Sequence, residues 1–153
     1  MISTEARAKH HDALRHDEHG IYQGLTFWSP NINIVRDPRW GRAQETYGED
    51  PYLTARLAVA FVRGLQGEGE FLKVAACAKH YAVHSGPEAL RHTFDAKVSE
   101  YDLWDTYLPA FEACVREAQV ESVMGAYTRT NGEPCCASPR LLVDIPVSYT
   151  HLT

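Results

Sequence analysis

Three times along the chain, a short apolar run leads into a long polar loop and then into a stretch with helical spacing. Residues 25 to 35 (Leu-Thr-Phe-Trp-Ser-Pro-Asn-Ile-Asn-Ile-Val) hold an alternation ending in Ile32, Ile34 and Val35, which predicts a strand. A loop from Arg36 to Asp50 follows. Asp50-Pro51 then sets a capping carboxylate before a proline at the first helical position. Leu53, Leu57, Phe61 and Leu65 recur every four residues, with Ala58 and Val62 beside them, so that face is expected to be buried. Gly64 and Gly67 mark the helix end.

The second unit repeats the plan. Val74 to Ala78 is a small-residue strand running into Lys79-His80-Tyr81, and a polar loop from His84 to Val98 follows. Ser99 with Asp102 three residues on is a helix start, and the helix is expected to bury Leu103, Tyr107, Leu108, Phe111 and Val115. Ser122 to Ala126 predicts the third strand, Tyr127 to Ala137 the third loop, and Ser138-Pro139 the cap of a third helix. Ahead of all three units, residues 3 to 19 read as a polar helix stopped by Gly20.

Repeated strand, loop and helix imply an α/β fold with parallel strands and right-handed crossovers. A closed eight-stranded barrel takes about 250 residues, and this chain has 153. Three to four β/α units therefore make either part of a barrel or a small open sheet. Pro146 is expected to end the third helix after about two turns. The pattern breaks there, so residues 1–145 are read as the barrel segment and residues 146–153 as a non-native tail.

Composition narrows the function classes. Fifteen Lys and Arg against 20 Asp and Glu leave a net charge of -5, with no basic block for a nucleic acid. No apolar run reaches the length of a membrane span. Met1 to Gly20 is charged and His-rich and shows no signal peptide. Cys77 and Cys114 sit in apolar contexts, and Cys135-Cys136 lack a second ligand pair, so neither a metal nor another cofactor is expected. His10, His11, His16 and His19 suit a solvated helix face.

The candidate chemistry lies at the strand ends, where barrels hold polar substrates. Lys79-His80 suits vicinal hydroxyls or a phosphate, or else a backbone-bonded His beside a surface Lys. The run Arg36-Asp37-Pro38-Arg39-Trp40-Gly41-Arg42 offers an inward Arg and an aromatic sugar platform in Trp40, or a loop salt-bridged to itself. Glu88 and Asp95 are the acids of the second loop, accompanied by Arg91 and His92, and neither acid stands at a strand end. Tyr127 follows the third strand and can donate a hydrogen bond. A third reading, a small open α/β metal- or phosphate-binding protein, lacks the glycine-rich phosphate loop it needs.

Several motifs in order carry a resemblance. Arg36 to Arg42, Glu45-Thr-Tyr-Gly-Glu-Asp-Pro51, Ala78-Lys-His-Tyr81, and Ser122 to Tyr127 with Asn131-Gly132 resemble the N-terminal barrel domain of glycoside hydrolase family 3 over residues 20 to 145. Phe27 to Asn33, His80 to Glu88 and Phe94-Asp95 resemble its β-xylosidase and β-glucosidase-like branch. The resemblance implies a partial (β/α)8 barrel from a retaining, exo-acting β-glycosidase that removes terminal β-D-xylosyl or β-D-glucosyl residues. It implies that Arg42, Lys79 and His80 bind sugar hydroxyls, that Tyr127 sits beside the nucleophile and that Glu45 braces Arg42. Glu88 and Arg91 become candidates for the pocket rim, and non-proline cis peptides are implied around Lys79-His80.

The same resemblance puts the nucleophilic Asp after the Tyr127 strand, the acid/base in a later domain and a further sugar-binding Asp before Met1. No catalytic residue is expected within the chain, its partners being an oligosaccharide or aryl glycoside and the C-terminal domains of an intact form. The resemblance admits a periplasmic or secreted location for that form. The competing class is a non-catalytic carbohydrate-binding or scaffold domain that keeps the sugar pocket.

Overall fold

The structure, a computed structural model, describes residues 1–150. Helix α1 (Ile2–Arg15) ends four residues short of the expected span, with Asp17 left-handed at φ 56° two residues later. It docks on the second helix and the segment after it: Ser3 Oγ donates to Gly64 O, and Arg7 donates to the carbonyls of Leu72 and Lys73.

Strand β1 (Thr26–Phe27) pairs in parallel with β2 (Ala75–Tyr81), which pairs in parallel with β4 (Ser122–Gly125). The expected strand over residues 25 to 35 is thus much shorter. Past the cis Ser29-Pro30 bond the pairing continues only as an isolated bridge of Asn31 to Lys79, with Lys79 N donating to Pro30 O at 3.0 Å and Ile32 N to Lys79 O at 2.9 Å. Ile32 and Ile34 are buried, so the alternation reported burial correctly, while the pairing it predicted is interrupted and stops at Ile32.

Helix α2 (Pro51–Gln66) starts as its sequence requires, Asp50 Oδ1 accepting from Leu53 N at 2.6 Å. Its buried face differs from the expected one. Thr54, Ala55, Ala58, Val59, Val62 and Leu65 point inward, while Leu53 and Leu57 are exposed. Small residues win because the helix lies close to the alanine-rich strand β2 and to helix α4 (Pro109–Arg116). The helix passes through Gly64 and stops at Gly67, whose φ of 77° favours glycine.

After β2, a turn at Glu88–Leu90 leads to β3 (Asp95–Ala96). Gly86 is needed there, since a Cβ would meet the Phe94 ring at 2.5 Å. Ser99 caps α3 (Glu100–Asp102), accepting from Asp102 N at 3.0 Å. A π-turn over Leu103–Tyr107 joins it to α4, burying Leu103, Leu108 and Phe111 as expected, with Tyr107 and Val115 only partly covered.

The third loop contains a hairpin of β5 (Arg129–Thr130) and β6 (Glu133–Pro134), turning on Asn131 (φ 52°) and Gly132 (φ 91°). That Asn-Gly pair is a turn signal. Because β5 runs parallel to β3, the hairpin ties the second and third loops together.

Pro146 does not end the third helix. A π-turn at Arg140–Asp144 leads into α5 (Ile145–Thr150), and Ile145 and Tyr149 are buried. Ile145 N reaches back to Arg140 O just before Pro146, as Leu108 N reaches Leu103 O just before Pro109. Each widened turn displaces the carbonyl that a proline ring would strike in a regular helix. The expected boundary after residue 145 falls within this helix, and residues 151–153 lie outside the described residues.

Candidate functional site

The ladder puts Lys79 between Asn31 and Met124, so Lys79 and His80 sit in the middle strand near its C-terminal end. Both the Lys79-His80 and Tyr81-Ala82 peptides are cis, as the resemblance implied for this pair. Around them the loops after β1, β2 and β4 converge.

His80 is 3% exposed and fully engaged. Asn33 donates its amide nitrogen to His80 O at 2.8 Å and to Ala82 O at 3.3 Å. Its Oδ1 therefore accepts, from His80 N at 2.8 Å and from His80 Nδ1 at 3.1 Å. The ring proton thus sits on Nδ1, and Nε2 accepts from Arg42 Nη1 at 2.9 Å. Burial, then His84 and Arg42, hold the His80 pKa down at about 3, so the ring is neutral.

Arg42 is the inward arginine of its loop. Nε and Nη2 reach the two Glu45 oxygens at 2.7 and 2.5 Å, a bidentate grip that leaves Nη1 for His80. This hydrogen bond is the main cause that lowers the Glu45 pKa. Arg39 pairs instead with Asp37 at the surface, at 2.5 Å, and Arg36 lies over the Tyr107 ring. The salt-bridged loop and the inward Arg are both present, on different residues. Lys79 is partly buried, and burial first, then Arg42, lowers its pKa.

Tyr127 lies just beyond β4 and is 59% exposed. The Arg91 guanidinium sits 5.4 Å from its ring centroid and the His92 ring 5.3 Å away. Glu88 pairs with Arg91 at 3.6 Å and packs against Gly41. Asp95 is a structural acid: Lys97 pairs with it at 2.6 Å and Gly132 N donates to it at 2.8 Å.

Arg42, Glu45, Lys79 and His80 therefore form one hydrogen-bonded and electrostatic group, with Tyr127, Arg91 and Glu88 beside it. Trp40 does not offer a platform. It is 3% exposed and meets His84 edge-on at 5.8 Å. Asn33 and His84 were missed as site residues. The signal for Asn33 was a polar residue between two buried isoleucines, which demands a hydrogen-bonding partner in the interior.

At neighbouring strand ends stand two cationic donors and a phenol, groups able to hydrogen-bond hydroxyls, around a neutral imidazole whose two nitrogens are already bonded. Glu45 is neutralised by Arg42 and Glu88 faces Arg91, so neither is a free carboxylate. Among the described residues, no three His, Cys, Asp or Glu gather to hold a metal ion, and no helix is long and apolar enough to cross a membrane.

The N-terminal domain of glycosyl hydrolase family 3 matches residues 16–146. The chain is 53% identical over 151 residues to a xylan 1,4-beta-xylosidase of Xylanibacter ruminicola, covering 95% of this chain and 17% of that protein. It is 50% identical over 149 residues to a beta-xylosidase/alpha-L-arabinofuranosidase of Medicago sativa subsp. varia, covering 93% of this chain and 18% of the relative. The chain thus spans under a fifth of the length of these relatives. A GH3 exo-beta-xylosidase in complex with a xylobiose aziridine probe superposes with a TM-score of 0.81 at 36% identity, over 94% of this chain and 19% of that one. Beta-glucosidase 3B of Thermotoga neapolitana superposes at 0.76 with 34% identity, over 94% and 18%. The parallel sheet with its helices is accordingly part of an α/β barrel, as expected.

Proposed function

Because this chain belongs to glycosyl hydrolase family 3, we propose that it supplies the sugar-holding half of the active site in a retaining, exo-acting β-glycosidase. The substrate class is an oligosaccharide or aryl glycoside with a terminal β-D-xylosyl residue, ahead of β-D-glucosyl, because the relatives at about half identity are named for xylosides. The observation that carries the reading is the Arg42–His80 hydrogen bond at the strand ends, with Lys79 next to it.

In this reading, Arg42 and Lys79 donate to hydroxyls of the terminal sugar. His80 holds Arg42 through Nε2, and Tyr127 flanks the reacting carbon. Glu45 keeps Arg42 extended, while Arg91 and Glu88 shape the rim beside Tyr127. Retention needs a nucleophile and an acid/base, and the proposal assigns neither to these residues.

The test uses the 153-residue chain. It should titrate with xylose by ligand-observed NMR and release no nitrophenol from nitrophenyl β-D-xyloside. R42A should abolish the xylose effect. Turnover by the purified chain would refute the division of labour, and indifference to both xylose and glucose would refute the binding role.

A further inference from the structure

His84 is buried at 4% exposure and belongs to no part of the sugar-contacting set. Its ring lies 4.7 Å from the His80 ring, tilted by 54°. The Trp40 ring also meets it, perpendicular at 89° with the ring centroids 5.8 Å apart. Trp40 is itself buried and stands two residues before Arg42. Its carbonyl accepts from Ala43 N at 3.3 Å, so the indole is anchored to the turn that carries Arg42.

These contacts close a ring. Trp40 packs on His84, His84 on His80, His80 accepts from Arg42, and the backbone returns from Arg42 to Trp40. We propose that His84 is a positioning residue: its ring is the spacer through which the buried Trp40 sets the plane of His80 and, through Nε2, the aim of Arg42. The inference rests on the sugar-holding role proposed above and identifies what pre-organises it.

The chemistry of the spacer fits this part. Among the described residues nothing hydrogen-bonds the buried His84 Nδ1, and the ring's flat contacts are with the rings of Trp40 and His80. Charge would defeat it, because Arg42, Arg91 and Arg36 all act on this ring. Burial, followed by those three guanidinium groups, keeps its pKa down at about 4. A neutral ring can lie against His80 without competing for Arg42.

Two substitutions separate a spacer from a mere filler. H84L fills the space with an apolar side chain of similar bulk and removes the flat ring, and H84F keeps a ring without nitrogen. The direct readout needs no sugar: the side-chain 15N shifts of His80, which report its Nδ1–H tautomer and the bond to Arg42. Wild type and H84F should show that signature, and H84L should lose it and bind xylose about tenfold more weakly. An unchanged His80 signature in folded H84L would overturn the inference. If H84L does not fold, W40F carries the same test, since it retains a core ring and withdraws the indole edge. An altered His80 spectrum without any xylose binding by the wild type would support the positioning ring and refute the sugar reading, so the two can fail separately.

Discussion

At the end of β2, His80 has both ring nitrogens and both backbone groups engaged inside the sheet; at the end of β4, Tyr127 stands mostly in solvent, held by ring and cation contacts alone. The first end is built from directional bonds among buried groups, and removal of any partner strands a polar atom in a dry interior. The second is built from weak, orientation-tolerant contacts at a wet surface. One side of the site is therefore set before a ligand arrives, and the other is adjustable.

The sharpest way to break that contrast is at Asn33. N33A removes two acceptor and two donor bonds at once and should cost about 3 kcal/mol of stability, read from the denaturant midpoint. A loss no larger than that of an ordinary surface substitution would mean that the β2 end is not locked in this way.

Acid should weaken the β2 end next. His80 and His84 have pKa values held down at about 3 and about 4, against an ordinary 6.5. Between those values the unfolded chain binds protons that the folded chain refuses, so stability falls as pH falls. The contribution is complete above about pH 6.5 and is lost progressively towards pH 3. Melting temperatures measured from pH 7.5 to 4 should decline through this window, and a flat profile would argue that the imidazoles are hydrated.

The smallest effect is expected at the other end. Tyr127→Phe keeps the ring under Arg91 and beside His92, so stability should stay within about 0.5 kcal/mol. Xylose binding by this variant should weaken less than in R42A. An equal loss would place the two strand ends on the same footing.

Local spacing in the sequence was enough to show the β/α order, the Asp50-Pro51 and Ser99 caps and strand β2. Such features depend on residues within a turn or two of each other, so their cause is visible in a short window. The motif order further identified the family and nominated Arg42, Lys79, His80 and Tyr127.

Other features depended on distant partners. Whether Leu57 or Ala55 faces inward was decided by the closeness of an alanine-rich sheet, and Trp40 was drawn into the core by His84, 44 residues away in sequence order. Pro109 and Pro146 continue helices because each preceding turn widens within a packed layer. Asn33 became the clamp of His80 only once β2 lay beside the segment after β1. Sequence alone determined which chemical groups were available and their order. Tertiary structure decided which were buried together, because desolvation and hydrogen-bond geometry exist only between segments already in contact.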